Sequence, residues 1–181
     1  DTELGRDYVN STRPVTGHTP PFIDKLPLDF LYCGLIHRAL PQARIVHLRR
    51  NPMDPCFASY KTLFKQAYPF SSDLDELGNY FLAYRALMEH WHQVMPGQIL
   101  DVDYETLVAQ PEPQIRRLLE FCELSWEDAC LAFHQNEAPS MTASLAQVRQ
   151  PVYSSSIGKW HHYEQDLAGL KQLFEARGLA L

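Results

Sequence analysis

A chain of 181 residues with 45% apolar content is long enough for one domain with a hydrophobic core and short for two. Its formal charge of −6, from 22 acidic against 16 basic side chains, excludes the broad basic face that nucleic-acid binding needs, so any affinity for phosphate has to be local. No apolar run reaches the roughly 18 residues that span a bilayer, no signal-peptide pattern opens the chain, and Cys33, Cys56, Cys122 and Cys130 form no C-x-x-C pair; the expectation is a soluble, cytoplasmic protein with buried thiols.

In chain order, residues 1–13 read as the tail of a helix. Because the first residue is Asp1 rather than methionine, the chain is expected to be a piece of something larger. Residues 13–21 carry Pro and Gly and predict a loop, followed by an extended Phe22-Ile23 and a helix over 28–40 bracketed by Pro27 and Pro41. Ile45, Val46 and Leu48 predict a short buried strand over 44–49. Immediately after it, Asn51 is a good N-cap and Pro52 suits a first helical position. Asp54 is placed to complete a capping box and to favour the helix dipole. Arg50 therefore stands where strand ends and helix begins. Backbone donors, the positive end of a helix and a guanidinium fork meet there, which is how α/β proteins build an anion site. The plainer alternative is a surface arginine paired with a nearby carboxylate.

The next helix is predicted over 52–67, with Cys56, Tyr60, Leu63, Phe64 and Ala67 inward and Ser59, Thr62 and Lys65 outward. A longer helix over 74–95 ends at Pro96-Gly97, and 98–103 returns as a strand. Ile115, Leu118, Leu119 and Cys122 mark an amphipathic helix over 111–121. Ser125 caps a further short one, and residues 163–177 form a last helix stopped by Gly178. Strands alternating with helices imply an α/β fold with a parallel sheet covered on both faces.

Other constellations are weaker. His90 and His92 stand two apart on a helix and diverge, H-E-x-x-H is absent, and no metal is expected. His161-His162 beside Trp160 reads as a surface pair at a helix start, with an approach to an acceptor as the alternative, and no nucleophile elbow anchors a Ser-His-Asp arrangement.

Four segments in this order carry a resemblance: Phe22-Ile23-Asp24-Lys25-Leu26-Pro27; residues 48–64; Val102-Asp103-Tyr104-Glu105-Thr106-Leu107-Val108; and Gln147-Val148-Arg149-Gln150-Pro151-Val152 through Ile157-Gly158-Lys159-Trp160. Together they resemble the sulfotransferases that use 3′-phosphoadenosine-5′-phosphosulfate, especially the tyrosylprotein sulfotransferases and bacterial domains that follow tetratricopeptide repeats. The resemblance implies that Arg50 and a serine on the following helix bind the 3′-phosphate. The family serine falls eight residues after the arginine, where this chain has Ala58; Ser59, one residue on and about 100° round the helix, is the candidate. By the same resemblance Lys25 stands near the transferring sulfuryl group, Tyr104 lines the nucleotide pocket, and Ser144 and Lys159 hold phosphates. The polar segment 153–156 is then either a loop that closes over the nucleotide or a solvated connection.

The family's arginine-x-glycine-threonine-threonine loop and its upstream glutamate base do not occur in these 181 residues, nor does G-x-x-x-x-G-K-[ST] or G-x-G-x-x-G. The resemblance thus implies one sulfotransferase-like domain over 1–181, with a three-layer P-loop-like fold and a short parallel sheet between helices, lacking its N-terminal strand–loop–helix. Such a chain is expected to be inactive alone, with tetratricopeptide repeats upstream in a full-length protein. The implied activity is transfer of a sulfuryl group from 3′-phosphoadenosine-5′-phosphosulfate to a hydroxyl or amine acceptor: a protein tyrosine, a sugar, a lipid or a small alcohol. Two rival readings are a non-catalytic remnant that binds nucleotide or protein, and a nucleotide kinase of related architecture. The Asp-Tyr-Glu-Thr-Leu and Ile-Gly-Lys-Trp segments fit the kinase poorly.

Overall fold

The structure, a computed structural model, describes residues 2–18, 21–64, 67–135 and 153–181. It is mixed α/β: helices α1 (Thr2–Thr16), α2 (Cys33–Ala39), α3 (Met53–Tyr60), α4 (Leu74–Val94), α5 (Tyr104–Ala109), α6 (Pro111–Phe121) and α7 (Ala168–Ala176), with strands β1 (Ile45–Arg49) and β2 (Ile99–Asp103). Side-chain pairs 47 with 101, 49 with 103 and a bond from residue 51 to 105 all keep an offset of 54, the signature of parallel strands in register. No helix among the described residues is long and apolar enough to cross a membrane.

The chain groups into two compact units. One comprises Asp1–Val46 and Ala83–Leu100, the other His47–Leu82 and Asp101–Leu181. In the first, α1 runs further than the sequence predicts and takes in Arg13 and Pro14. The proline sits in the last turn, where it costs a single backbone bond, and the helix stops only at Gly17, whose φ of 69° suits glycine. A Cβ on Gly5 would stand 2.0 Å from the Ala39 carbonyl oxygen, so α1 meets α2 at a distance only glycine permits. The predicted helix over 28–40 is a 3-10 turn (Asp29–Tyr32) followed by α2. Cys33, Met88, Met95 and Ile99 form the core, where the Trp91 indole N–H donates to the Phe30 carbonyl at 2.8 Å.

In the second unit Met53, Cys56 and Phe57 of α3 pack with Leu77 of α4, Trp160, and Leu167, Leu170 and Phe174 at the C-terminus. Several expectations are corrected here. Helix α3 ends at Tyr60, not near 67, and Leu63 and Tyr60 are exposed rather than inward. Thr62 ends it by donating from Oγ1 to the Ala58 carbonyl at 2.7 Å, and its N–H takes the Ser59 carbonyl. Val46 and Leu48 are exposed, so β1 is covered only on the side of Ile45 and His47. Ser125 caps nothing: the next turn (Asp128–Cys130) starts later, because the Trp126 indole bonds Asp128 and its ring takes the Arg116 guanidinium at 3.8 Å. The last helix, expected from 163, begins only at Ala168 as α7, after a 3-10 turn (Lys159–Tyr163), and stops near Gly178 as expected. Of the four thiols, Cys33 and Cys56 are buried and Cys122 and Cys130 half-buried. Burial pushes the Cys56 thiol up to about 12.

Candidate functional site

The end of β1 splits its two arginines. Arg49 is consumed by the sheet: its Nε and Nη2 donate to the Asp103 carboxylate at 3.0 and 3.1 Å, and Nη1 lies 3.0 Å from Asp101. His47 bonds the same Asp101 at 2.8 Å. Arg50, just beyond the strand, is three-quarters buried. Its Nη2 donates to the Ser156 carbonyl at 2.8 Å, and its guanidinium lies 4.7 Å from the centroid of the Tyr104 ring. Asp54 lies 3.6 Å from Nη2, close enough for attraction and too far for a hydrogen bond. The buried Nε has no hydrogen-bond partner among the described residues. A desolvated guanidinium N–H without an acceptor is costly.

The local sequence explains how this junction is held. Asn51 caps as expected, its Oδ1 accepting from the Met53 N–H at 3.0 Å. The predicted capping box does not form. The Asn51 N–H donates instead to Glu105 Oε1 at 2.9 Å, and Asp54 turns its carboxylate to the Gly158 N–H at 2.8 Å. Tyr104 opens α5 at the end of β2, and its hydroxyl pairs with Ser156 Oγ at 3.0 Å. Parallel register places the end of β2 beside the end of β1, which brings Tyr104 to Arg50.

Lys159 follows Gly158, which has φ 70°, and precedes Trp160, which is buried in the core. A cleft of about 310 Å³ is lined by Phe57, Lys61, Lys159, His162 and Tyr163 together with Ser155, Ile157 and Gly158. Three of those side chains carry or can carry positive charge and none is acidic. The Phe57 and Tyr163 rings pack against each other at its wall, their centroids 4.7 Å apart.

Ser59 is half-buried near the end of α3. Ala58, four residues after Asp54, shares the Asp54 side of the helix, and Ser59 is rotated about 100° from it. Ser144 lies outside the described residues. Lys25 belongs to the first unit and is exposed on a segment without regular secondary structure. Its backbone is fixed on both sides: the Tyr8 hydroxyl donates to the Asp24 carboxylate, and the Leu26 N–H donates to Asp29 at 2.7 Å. The hydrogen bond to Asp24, helped by partial burial, pushes the Tyr8 phenol up to about 12. A phenol raised in the fold stabilises below its ordinary pKa of about 10, and that contribution disappears as pH rises through 12. Alkaline absorbance titration should therefore find a tyrosine ionising near 12 that is missing in Tyr8→Phe; the same curve for both proteins would mean that the bond to Asp24 does not persist in solution.

The structure gathers Arg50, Tyr104 and Lys159, all expected from the sequence, around the 156–159 segment, and adds Glu105 and Lys61, which the sequence reading does not single out. Gly158 beside a lysine was the available signal, since a glycine in a left-handed turn lets the backbone N–H point inward.

A family model described as the Sulfotransferase family matches residues 1–128. An uncharacterized protein of Aquifex aeolicus (strain VF5) is 40% identical over 171 residues, covering 93% of this chain and 22% of that protein. A protein-tyrosine sulfotransferase of Drosophila melanogaster is 31% identical over 96 residues, 43% of this chain and 19% of its own length. The protein-tyrosine sulfotransferase A of Caenorhabditis elegans is 31% identical over 83 residues, 43% of this chain and 22% of its length. The chain thus spans about a fifth of the length of these curated relatives.

Proposed function

The chain belongs to the sulfotransferase family, and from that premise we propose that it moves a sulfuryl group from 3′-phosphoadenosine-5′-phosphosulfate to a hydroxyl or amine acceptor. The observation that carries this reading is the buried Arg50 Nε, which lacks a hydrogen-bond partner among the described residues beside the Tyr104 ring. In the proposal Arg50 binds the 3′-phosphate, with Ser59 as the helix hydroxyl nearest the family position. Tyr104 flanks the nucleotide, and Lys159 and Ser144 hold phosphates. The cationic cleft shared by Lys159, Lys61 and His162 supports a polyanionic ligand.

The acceptor hydroxyl oxygen attacks sulfur in line and gives up its proton to solvent, the bond from sulfur to the bridging oxygen breaks, and its electron pair leaves on the 5′-phosphate. Lys25 is assigned to that oxygen, where an ammonium offsets the charge gathering as the bond lengthens. The two relatives named as protein-tyrosine sulfotransferases make a protein tyrosine the first acceptor to test.

The test is transfer of radiolabelled sulfuryl group by the intact protein to tyrosine-containing peptides, with sugars and small alcohols in parallel. Label on an acceptor is expected. The alternative carried by the same resemblance is a non-catalytic nucleotide-binding module. Tight binding of 3′-phosphoadenosine-5′-phosphate with no label moved to any acceptor would select that reading.

A further inference from the structure

Asp54 is 3% exposed, on the first turn of α3; the capping box the sequence predicts for it does not form, and the proposed chemistry gives it no task there. Burying a carboxylate is expensive, and an apolar or amide side chain of the same size would cost less unless the charge or its geometry is used. What Asp54 touches is specific. One oxygen accepts the Gly158 N–H at 2.8 Å and lies 3.6 Å from Arg50 Nη2. The other is buried with no hydrogen-bond partner among the described residues. Gly158 sits at φ 70°, and a Cβ there would crowd the His161 ring at 3.2 Å, so the turn is shaped around that inward N–H. Arg50 holds the same segment from its other end through the Ser156 carbonyl, and Tyr104 holds Ser156 Oγ. Three side chains from two segments, Arg50 and Asp54 at the β1–α3 junction and Tyr104 at the start of α5, thus pin residues 156–158, and Asp54 pins the residue next to Lys159.

We propose that Asp54 is a positioning residue whose carboxylate fastens the Gly158–Lys159 turn to the Arg50 junction, presetting Lys159 for an anionic group of the nucleotide. This rests on the reading of Lys159 as a phosphate ligand. The carboxylate contributes to binding only through the turn it holds, by removing an ordering cost that binding would otherwise carry.

The test has two arms in the intact protein. In the first, without ligand, the Gly158 amide exchanges at least tenfold more slowly than an unprotected amide in the wild type. It keeps that protection in Asp54→Asn, whose side-chain oxygen still accepts the bond, and loses it in Asp54→Ala. An unprotected Gly158 amide in the wild type overturns the proposal, whether or not any variant folds. In the second arm, calorimetry with 3′-phosphoadenosine-5′-phosphate should give about a tenfold loss for Asp54→Ala, little loss for Asp54→Asn, and no further loss when Asp54→Ala is added to Lys159→Ala. Multiplying losses in the double variant, or an Asp54→Asn as weak as Asp54→Ala, contradicts a role through the turn. If the wild type binds no nucleotide while Gly158 protection still follows Asp54, the functional reading fails and the fastening stands.

Discussion

Lys25→Ala is expected to lower turnover by about 10²–10³ while nucleotide affinity changes by only a few fold, as when a donor aimed at developing charge is removed. The physical case lies in how the lysine is presented. Asp24 and Leu26 on either side are held by Tyr8 and Asp29, so the backbone of an otherwise irregular segment is fixed at the one residue that carries the charge. An ammonium assigned to the bridging oxygen does little for the ground state, where that oxygen bears little charge. Its effect grows as the bond to sulfur lengthens, which is why the loss belongs in kcat. A Lys25→Ala protein with wild-type kcat would remove Lys25 from the chemistry, and an equal rise in KM with kcat unchanged would make it a ground-state binding residue.

Phe174→Ala should cost about 3–5 kcal/mol of stability, the range for removing a fully buried aromatic ring. Phe174 has 0% exposure and packs in one cluster with Met53, Leu77 and Trp160, with the Phe81 ring 5.3 Å away. The cluster also carries the site: Met53 begins the helix after Arg50, and Trp160 anchors the turn that bears Lys159. The denaturant midpoint should fall with the slope of the transition unchanged. A cost below about 1 kcal/mol would mean that the pocket around this ring collapses readily or that the unit is not cooperatively packed.

What was legible in the sequence is what local chemistry decides. Asn51-Pro52 after an apolar run fixed the start of α3, Pro96-Gly97 and Gly178 marked stops, and Arg50 at the strand end announced the junction. What was illegible depends on partners far away in the chain. Asp54 has the right type and position for a capping box, but the Asn51 N–H is taken by Glu105, 54 residues on, and Asp54 is drawn to Gly158, 104 residues on. Val46 and Leu48 have the composition of a buried strand, and only the tertiary arrangement reveals that their side of β1 is exposed. The helical period of the sequence continues through Ala67, yet the helix ends at Tyr60, just before a back-bonding Thr62. Spacing also leaves Ser59 ambiguous, since a one-residue offset on a helix is a change of face.

The most direct measurement compares 3′-phosphoadenosine-5′-phosphate with adenosine 5′-phosphate, which lacks only the 3′-phosphate, for wild type and Arg50→Ala by calorimetry. Charge-assisted hydrogen bonds worth about 1.5–3 kcal/mol predict a wild-type preference for the bisphosphate of at least tenfold, lost in Arg50→Ala, with adenosine 5′-phosphate affinity little changed. A preference that survives intact in Arg50→Ala would put the 3′-phosphate elsewhere and contradict the assignment.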